Sequence, residues 1–134
     1  MPRVLSVLMA VVLAVSLAAC GDDEPAEPVE FGEGEIPRTM PDSIPVPDGA
    51  IIGATLIDRV NNRTEMTVRT RFEFEDLVRF YAFELVSRGF LLDETAGDAQ
   101  RWVIDFSDGD LRGQVVIAPG GTGTSQAVVT VNRS

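Results

Sequence analysis

The feature that most constrains this chain is its first twenty residues. Arg3 precedes a run from Val4 to Ala19, VLSVLMAVVLAVSLAA, that holds no charge, proline or glycine and stops at Cys20. A positive n-region followed by an apolar h-region is the pattern of an export signal. As a helix, the run reaches about 24 Å at 1.5 Å per residue, short of the roughly 30 Å hydrocarbon core of a bilayer. The next residues, Gly21-Asp22-Asp23-Glu24, are acidic, whereas a permanent span is closed by Lys or Arg. Residues 1–19 therefore read as a signal that is removed, and only the remainder is available to fold.

The residues that close this segment, Leu17-Ala18-Ala19-Cys20, resemble the lipobox of bacterial lipoproteins, with Leu three positions before the cysteine and small residues beside it. The resemblance implies cleavage between Ala19 and Cys20 by a type II signal peptidase. It also implies a diacylglycerol on the Cys20 thiol and acylation of the new amino group by a chain such as palmitate. The chemistry suits the residue types, because a thiolate is the nucleophile that forms the thioether. Two or three acyl chains hold a protein to a membrane far more firmly than one. An ordinary cleavable signal with an incidental cysteine, or an uncleaved anchor, is the competing reading; n-region, h-region, lipobox and lone cysteine agree on the lipoprotein. The implied location is the cell envelope, on the extracytoplasmic side of a bacterial membrane. Gly21 stands where an Asp would resemble an inner-membrane retention signal, so the outer membrane is expected in a cell that has two.

Composition removes several classes of chemistry. The formal net charge is -10, which opposes general affinity for nucleic acid or an anionic membrane surface. There is no His, the side chain best suited to proton transfer near neutral pH and to zinc or iron ligation. Cys20 is the only cysteine, so an internal disulfide and a cysteine-held metal centre are both excluded. No cofactor and no metal site are expected.

From Gly21 to Ala50 the chain carries six prolines, and nine acids against Arg38 alone. Like-charge repulsion and proline extend such a stretch, so residues 20–45 read as a lipidated N-terminus and acidic spacer, and 46–134 as the folded domain. An acidic segment binding cations or a partner is the alternative. Within the domain, Ile51 to Ile57 is rich in β-formers, and Thr64 to Phe72 alternates, with Met66, Val68, Thr70 and Phe72 on one side. The period then changes. Between about Glu73 and Arg88, Phe74, Leu77, Val78, Tyr81 and Leu85 share one side of a helix, with acids at its start and Arg88-Gly89 at its end. Further strands are predicted near Phe90 to Glu94, Arg101 to Ser107, Leu111 to Ala118 and Ser125 to Val131, separated by Gly97-Asp98, Asp108-Gly109 and Gly120-Gly121. The expectation is a two-layer α+β domain: one helix on a mainly antiparallel sheet of about five to six strands, in the order two strands, helix, four strands.

The series Val46-Pro47-Asp48-Gly49-Ala50, an alternating strand, Leu77-Val78-Arg79-Phe80-Tyr81 with Leu85, then Gly89-Phe90 resembles a small domain that recurs in bacterial lipoproteins. The resemblance covers residues 46–131 and rests on packing motifs. It implies the fold and carries no activity.

Candidate sites are few. Ser-His and Cys-His nucleophiles are excluded by composition. Asp105, Asp108 and Asp110 bracket a turn, and Glu73, Glu75 and Asp76 favour a helix N-terminus, so neither set reads as a carboxylate catalytic pair. Asp105 to Asp110 resembles a calcium loop, but Val116 stands where the bidentate Glu belongs. Gly120-Gly121-Thr122-Gly123 leads into a strand and reads as a hairpin loop. Phe83 falls on the solvent side of the helix, and Phe80 lies off its apolar arc. Arg69 and Arg71 project together, with Arg101 beside them, and are expected to pair with Asp105 or Glu65; a small anion-binding face is the alternative. The reading is a non-enzymatic, membrane-anchored lipoprotein whose domain contacts an envelope protein or another copy of itself through the open sheet face, Phe83, Arg69 and Arg71. The alternative is a small-ligand or envelope-polymer module with a pocket lined by Trp102 or Tyr81.

Overall fold

A computed structural model describes residues 27–134; Ala19 and Cys20, the expected cleavage and lipidation residues, lie outside them. The chain forms β1 (Val29–Glu33), β2 (Ile51–Asp58), β3 (Arg63–Thr70), α1 (Phe74–Ser87), β4 (Leu91–Gly97), β5 (Trp102–Asp108), β6 (Leu111–Pro119) and β7 (Ser125–Arg133). The seven strands make one sheet in the order β1-β2-β3-β7-β6-β5-β4, with every neighbouring pair antiparallel. Two meanders, β1 to β3 and β4 to β7, join where β3 pairs with β7. The helix carries the chain from the middle of the sheet to its far edge.

Alternation sets the inner face. In β3, Thr64, Met66, Val68 and Thr70 are buried, and they share the inner face with Ser125, Ala127, Val129 and Val131 of β7 and Ile104, Phe106, Val115 and Ile117 of β5 and β6. Helix α1 lays Leu77, Tyr81 and Leu85 on this face and contacts β4 to β7. Its end is a Schellman turn: the Phe90 N–H donates to the Leu85 carbonyl at 3.0 Å and the Gly89 N–H to that of Val86 at 3.0 Å. Gly89 has φ +92°, which only glycine adopts without strain.

Two corrections concern the N-terminal segment. The sheet has seven strands, more than expected, because the spacer begins to fold at Val29. Its acids do not simply repel: Glu30 receives Arg38 at 2.8 and 3.1 Å and Arg59 at 3.1 Å, and these guanidinium groups hold its carboxyl below the usual range. The prolines also do something other than extend the chain. Three of them open β-turns, in which the amides of Met40, Ile44 and Ala50 donate to the carbonyls of Pro37, Pro41 and Pro47 at 2.9, 3.1 and 3.1 Å. The turns bury Met40 and Ile44 in the core. The strap of residues 37–47 thus covers the β2–β3 part of the inner face, which α1 does not reach. The hydroxyl groups of Thr39 and Thr64 meet at 2.6 Å beneath it.

The outer face has no covering layer among the described residues. A half-buried row of Thr67, Val128, Val116 and Val103 crosses it, beside a polar row of Glu65, Thr130, Gln114 and Asp105.

Candidate functional site

Period-two geometry puts Arg69 and Arg71 on one side of the chain where β3 leaves the sheet, and both are exposed. Thr70, between them, points the opposite way. Its hydroxyl lies 3.1 Å from that of Ser125, accepts from the Phe72 N–H at 3.1 Å, and Ser125 Oγ donates to the Phe72 carbonyl at 2.8 Å. This buried knot pins the strand exit and fixes the direction of Arg71. A second wall is the β6–β7 loop, closed by Gly120 N–H to the Thr124 carbonyl at 2.9 Å and by Thr124 Oγ1 to the Gly121 carbonyl at 2.9 Å. A third is the Asp48-Gly49 turn with Ile51. Together they enclose a groove of about 710 Å³. The Arg69 guanidinium crosses Gly53, with Cζ 3.8 Å from where a Cβ would stand.

Neither arginine takes part in an ion pair among the described residues. The expected pairing with Glu65 or Asp105 is not formed. Glu65 receives Arg63 at 2.6 Å and lies four residues along the strand from Arg69, about 14 Å away at 3.4 Å per residue. Asp105 sits on β5, three strands from β3, and accepts from Gln114 Nε2 at 2.9 Å. Arg101, on the β4–β5 loop, does not line the groove. The acid that does is Asp48.

Phe83 is 69% exposed, and Val86 shares its side of the helix, forming a small apolar spot apart from the groove. Phe80 turns inward, edge-on to Phe72 at 6.0 Å and to Tyr81 at 5.2 Å, so the floor of the groove is backed by an aromatic cluster. Among the described residues Tyr81 is fully buried and opens onto no pocket; desolvation there pushes its phenol pKa far up. Trp102 donates Nε1 to Thr95 Oγ1 at 2.8 Å and borders a shallow depression of about 390 Å³ with Phe74 and Val78.

Among the described residues, no three acidic side chains converge as a metal site would need. Asp105 lies on the outer face while Asp108 and Asp110 flank the β5–β6 turn, and Asp76 pairs with Arg79 at 3.4 Å in the first turn of α1. At the opposite end of the molecule, Asp58 caps the β2–β3 turn. The Asn61 side chain and the amides of Asn61 and Val60 donate to its carboxylate at 2.7, 3.2 and 3.1 Å and lower its pKa. Sequence reasoning found the arginine pair but missed Asp48, Ile51 and the Gly120–Thr124 wall. Nothing local signals that 48–51 and 120–126 meet at β3.

Comparison with protein-family models, curated proteins and solved structures gives no match to this chain.

Proposed function

We propose that this chain is a lipid-anchored, non-enzymatic binding module of a bacterial envelope, held by acyl chains on Cys20 and presenting the Arg69–Arg71 groove away from the membrane. The observation that carries the reading is the polarity of the domain. The fold starts at Val29, with residues 21–28 separating it from Cys20. Eight residues span at most about 29 Å at 3.6 Å each, so an anchored domain stands close to the bilayer. Val29 pairs with Asp58, and Asp58 with Arg63. The chain therefore enters at the end where β3 begins, and the groove lies at the end where β3 finishes, about 24 Å further on.

The resemblance of Leu17-Ala18-Ala19-Cys20 to a lipobox is what supports the anchor. The size of the groove, about 710 Å³, falls in the range of small-molecule sites and favours a ligand or envelope polymer over a flat protein contact. The Phe83–Val86 spot is the observation that favours a protein partner or self-association.

Two measurements test the proposal. Mass spectrometry of the protein extracted from its own membranes should find lipid on Cys20, and Cys20→Ala should release or trap it; an unmodified thiol on membrane-free protein overturns the anchor. A photo-crosslinking residue at Gln126, in the groove, should capture a discrete partner, while one at Asn61, near the membrane, should not. Capture only at Asn61, or only of this chain itself, overturns the outward-facing groove.

A further inference from the structure

We infer that the groove at the end of β3 is an oxyanion site, which takes a carboxylate or phosphate group on a ligand with an apolar body. The inference rests on the binding-module reading and names its ligand class.

The first observation is electrostatic. Acids outnumber bases 21 to 11 in this chain, and the five ion pairs among the described residues use Arg38, Arg59, Arg63, Arg79 and Arg88. Arg69 and Arg71 are left without a carboxylate and share one concavity. The other described arginines outside those pairs, Arg101, Arg112 and Arg133, do not share a concavity with one another. A guanidinium presents paired N–H donors at the spacing of two carboxylate or phosphate oxygens. Two of them, about 7 Å apart along the strand, can clamp one oxyanion from both sides.

The second observation is the inventory of donors. Gly121 N–H, on the facing wall, and the Gln126 side chain, opposite Arg69 in the register, have no acceptor among the described residues. Backbone and side-chain amides thus supply neutral donors beside the charged ones. Apolar area adjoins them: Ile51 is 67% exposed, and Phe72 lines the groove with Phe80 behind it. Asp48 is the one acid that lines the groove. It disfavours polyanions and leaves room for one oxyanion, with any cationic or hydroxyl group of the ligand turned toward the Asp48 wall.

The test uses the full mature protein in detergent, with its arginine side-chain N–H signals followed by NMR during titration with glutarate and, separately, with inorganic phosphate. Sodium chloride at matched ionic strength is the control. The expected result is a saturable perturbation of Arg69, Arg71 and Gly121 by at least one of the two anions, and the tighter one identifies the oxyanion. Arg69→Gln and Arg71→Gln should each weaken binding by about 10-fold, Arg→Lys at either site by less, and Asp48→Asn should tighten it a few-fold. Both arginines are exposed, so the variants keep the fold, which the backbone spectrum verifies. Unsaturated, linear shifts up to about 50 mM, far weaker than any affinity a specific site shows, would overturn the inference. So would equal binding by the double Gln variant. If partner capture at Gln126 persists without anion binding, the ligand class fails and the module reading stands; anion binding without capture gives the reverse.

Discussion

Tyr81 offers the sharpest test of how the core is built. It is fully buried, its hydroxyl has no hydrogen-bond partner among the described residues, and its ring meets Phe80 edge-on at 5.2 Å. A buried hydroxyl without a partner costs about 1–3 kcal/mol of desolvation. Removing it leaves a void smaller than a methyl group, which costs less than about 1 kcal/mol. Tyr81→Phe should therefore stabilise the domain by about 1 kcal/mol at neutral pH, raising Tm by roughly 4–8 °C for a domain of this size. The same burial makes a second prediction. The chain has one Tyr, no Lys and no His, so above about pH 9 Tyr81 is the side chain of the described domain that titrates. Burial raises its pKa in the folded state, so the unfolded chain loses the proton first, near the ordinary phenol value of about 10. Below that pH both states hold the proton and stability is unaffected. Above it the unfolded state binds fewer protons, so stability falls as pH rises, by about 1.4 kcal/mol at pH 11. Urea unfolding followed by Trp102 fluorescence at pH 7 and pH 11 measures both effects. The advantage of the Phe variant should widen with pH, because only the wild type has the alkaline loss. A Phe variant less stable than wild type by 1 kcal/mol or more would refute the reasoning and show that the hydroxyl is satisfied in solution.

Two further substitutions address the features that the sequence concealed. Met40→Ala and Ile44→Ala should each cost about 2–5 kcal/mol in urea unfolding, as core truncations do, whereas a solvated spacer would register under about 0.5 kcal/mol. Gly113 lies under the Phe106 ring, where an added Cβ would overlap the ring atoms. Gly113→Ala should cost about 1–3 kcal/mol, and combining it with Phe106→Leu should recover part of that loss, a coupling visible in a double-mutant cycle.

What was legible in the sequence is what short-range physics decides. The change of period at Glu73 marks the end of a strand and the start of α1, because burial on a helix and on a strand require different spacings. The strands after α1 are legible from alternation and from glycine-bearing turns, and the exposure of Phe83 follows from its angle around the helix. The N-terminal segment defeated the same approach. Proline and acid content is an average property, but what fixes 29–50 is specific. Glu30 finds two guanidinium groups, one of them 29 positions away on Arg59, and three prolines each start a turn that brings an amide back three residues later.

The groove shows the same division. Alternation alone predicts that Arg69 and Arg71 project together. Their lack of partners depends on register: Gln126, not an acid, stands opposite Arg69, and that pairing joins segments more than fifty positions apart. The Thr70–Ser125 knot that holds the strand exit is equally non-local. A strand on the far side of α1 therefore decides whether two arginines are a neutralised surface pair or an open clamp. The strap then decides where the clamp faces. Because 29–47 belongs to the domain instead of a long spacer, the proposed anchor at Cys20 would leave at most eight residues of slack. A domain anchored in that way would not tumble freely on so short a lead without bringing its own walls against the bilayer. On the proposed anchor, the β2–β3 turn would face the membrane and the Arg69–Arg71 end would be the surface turned to the envelope.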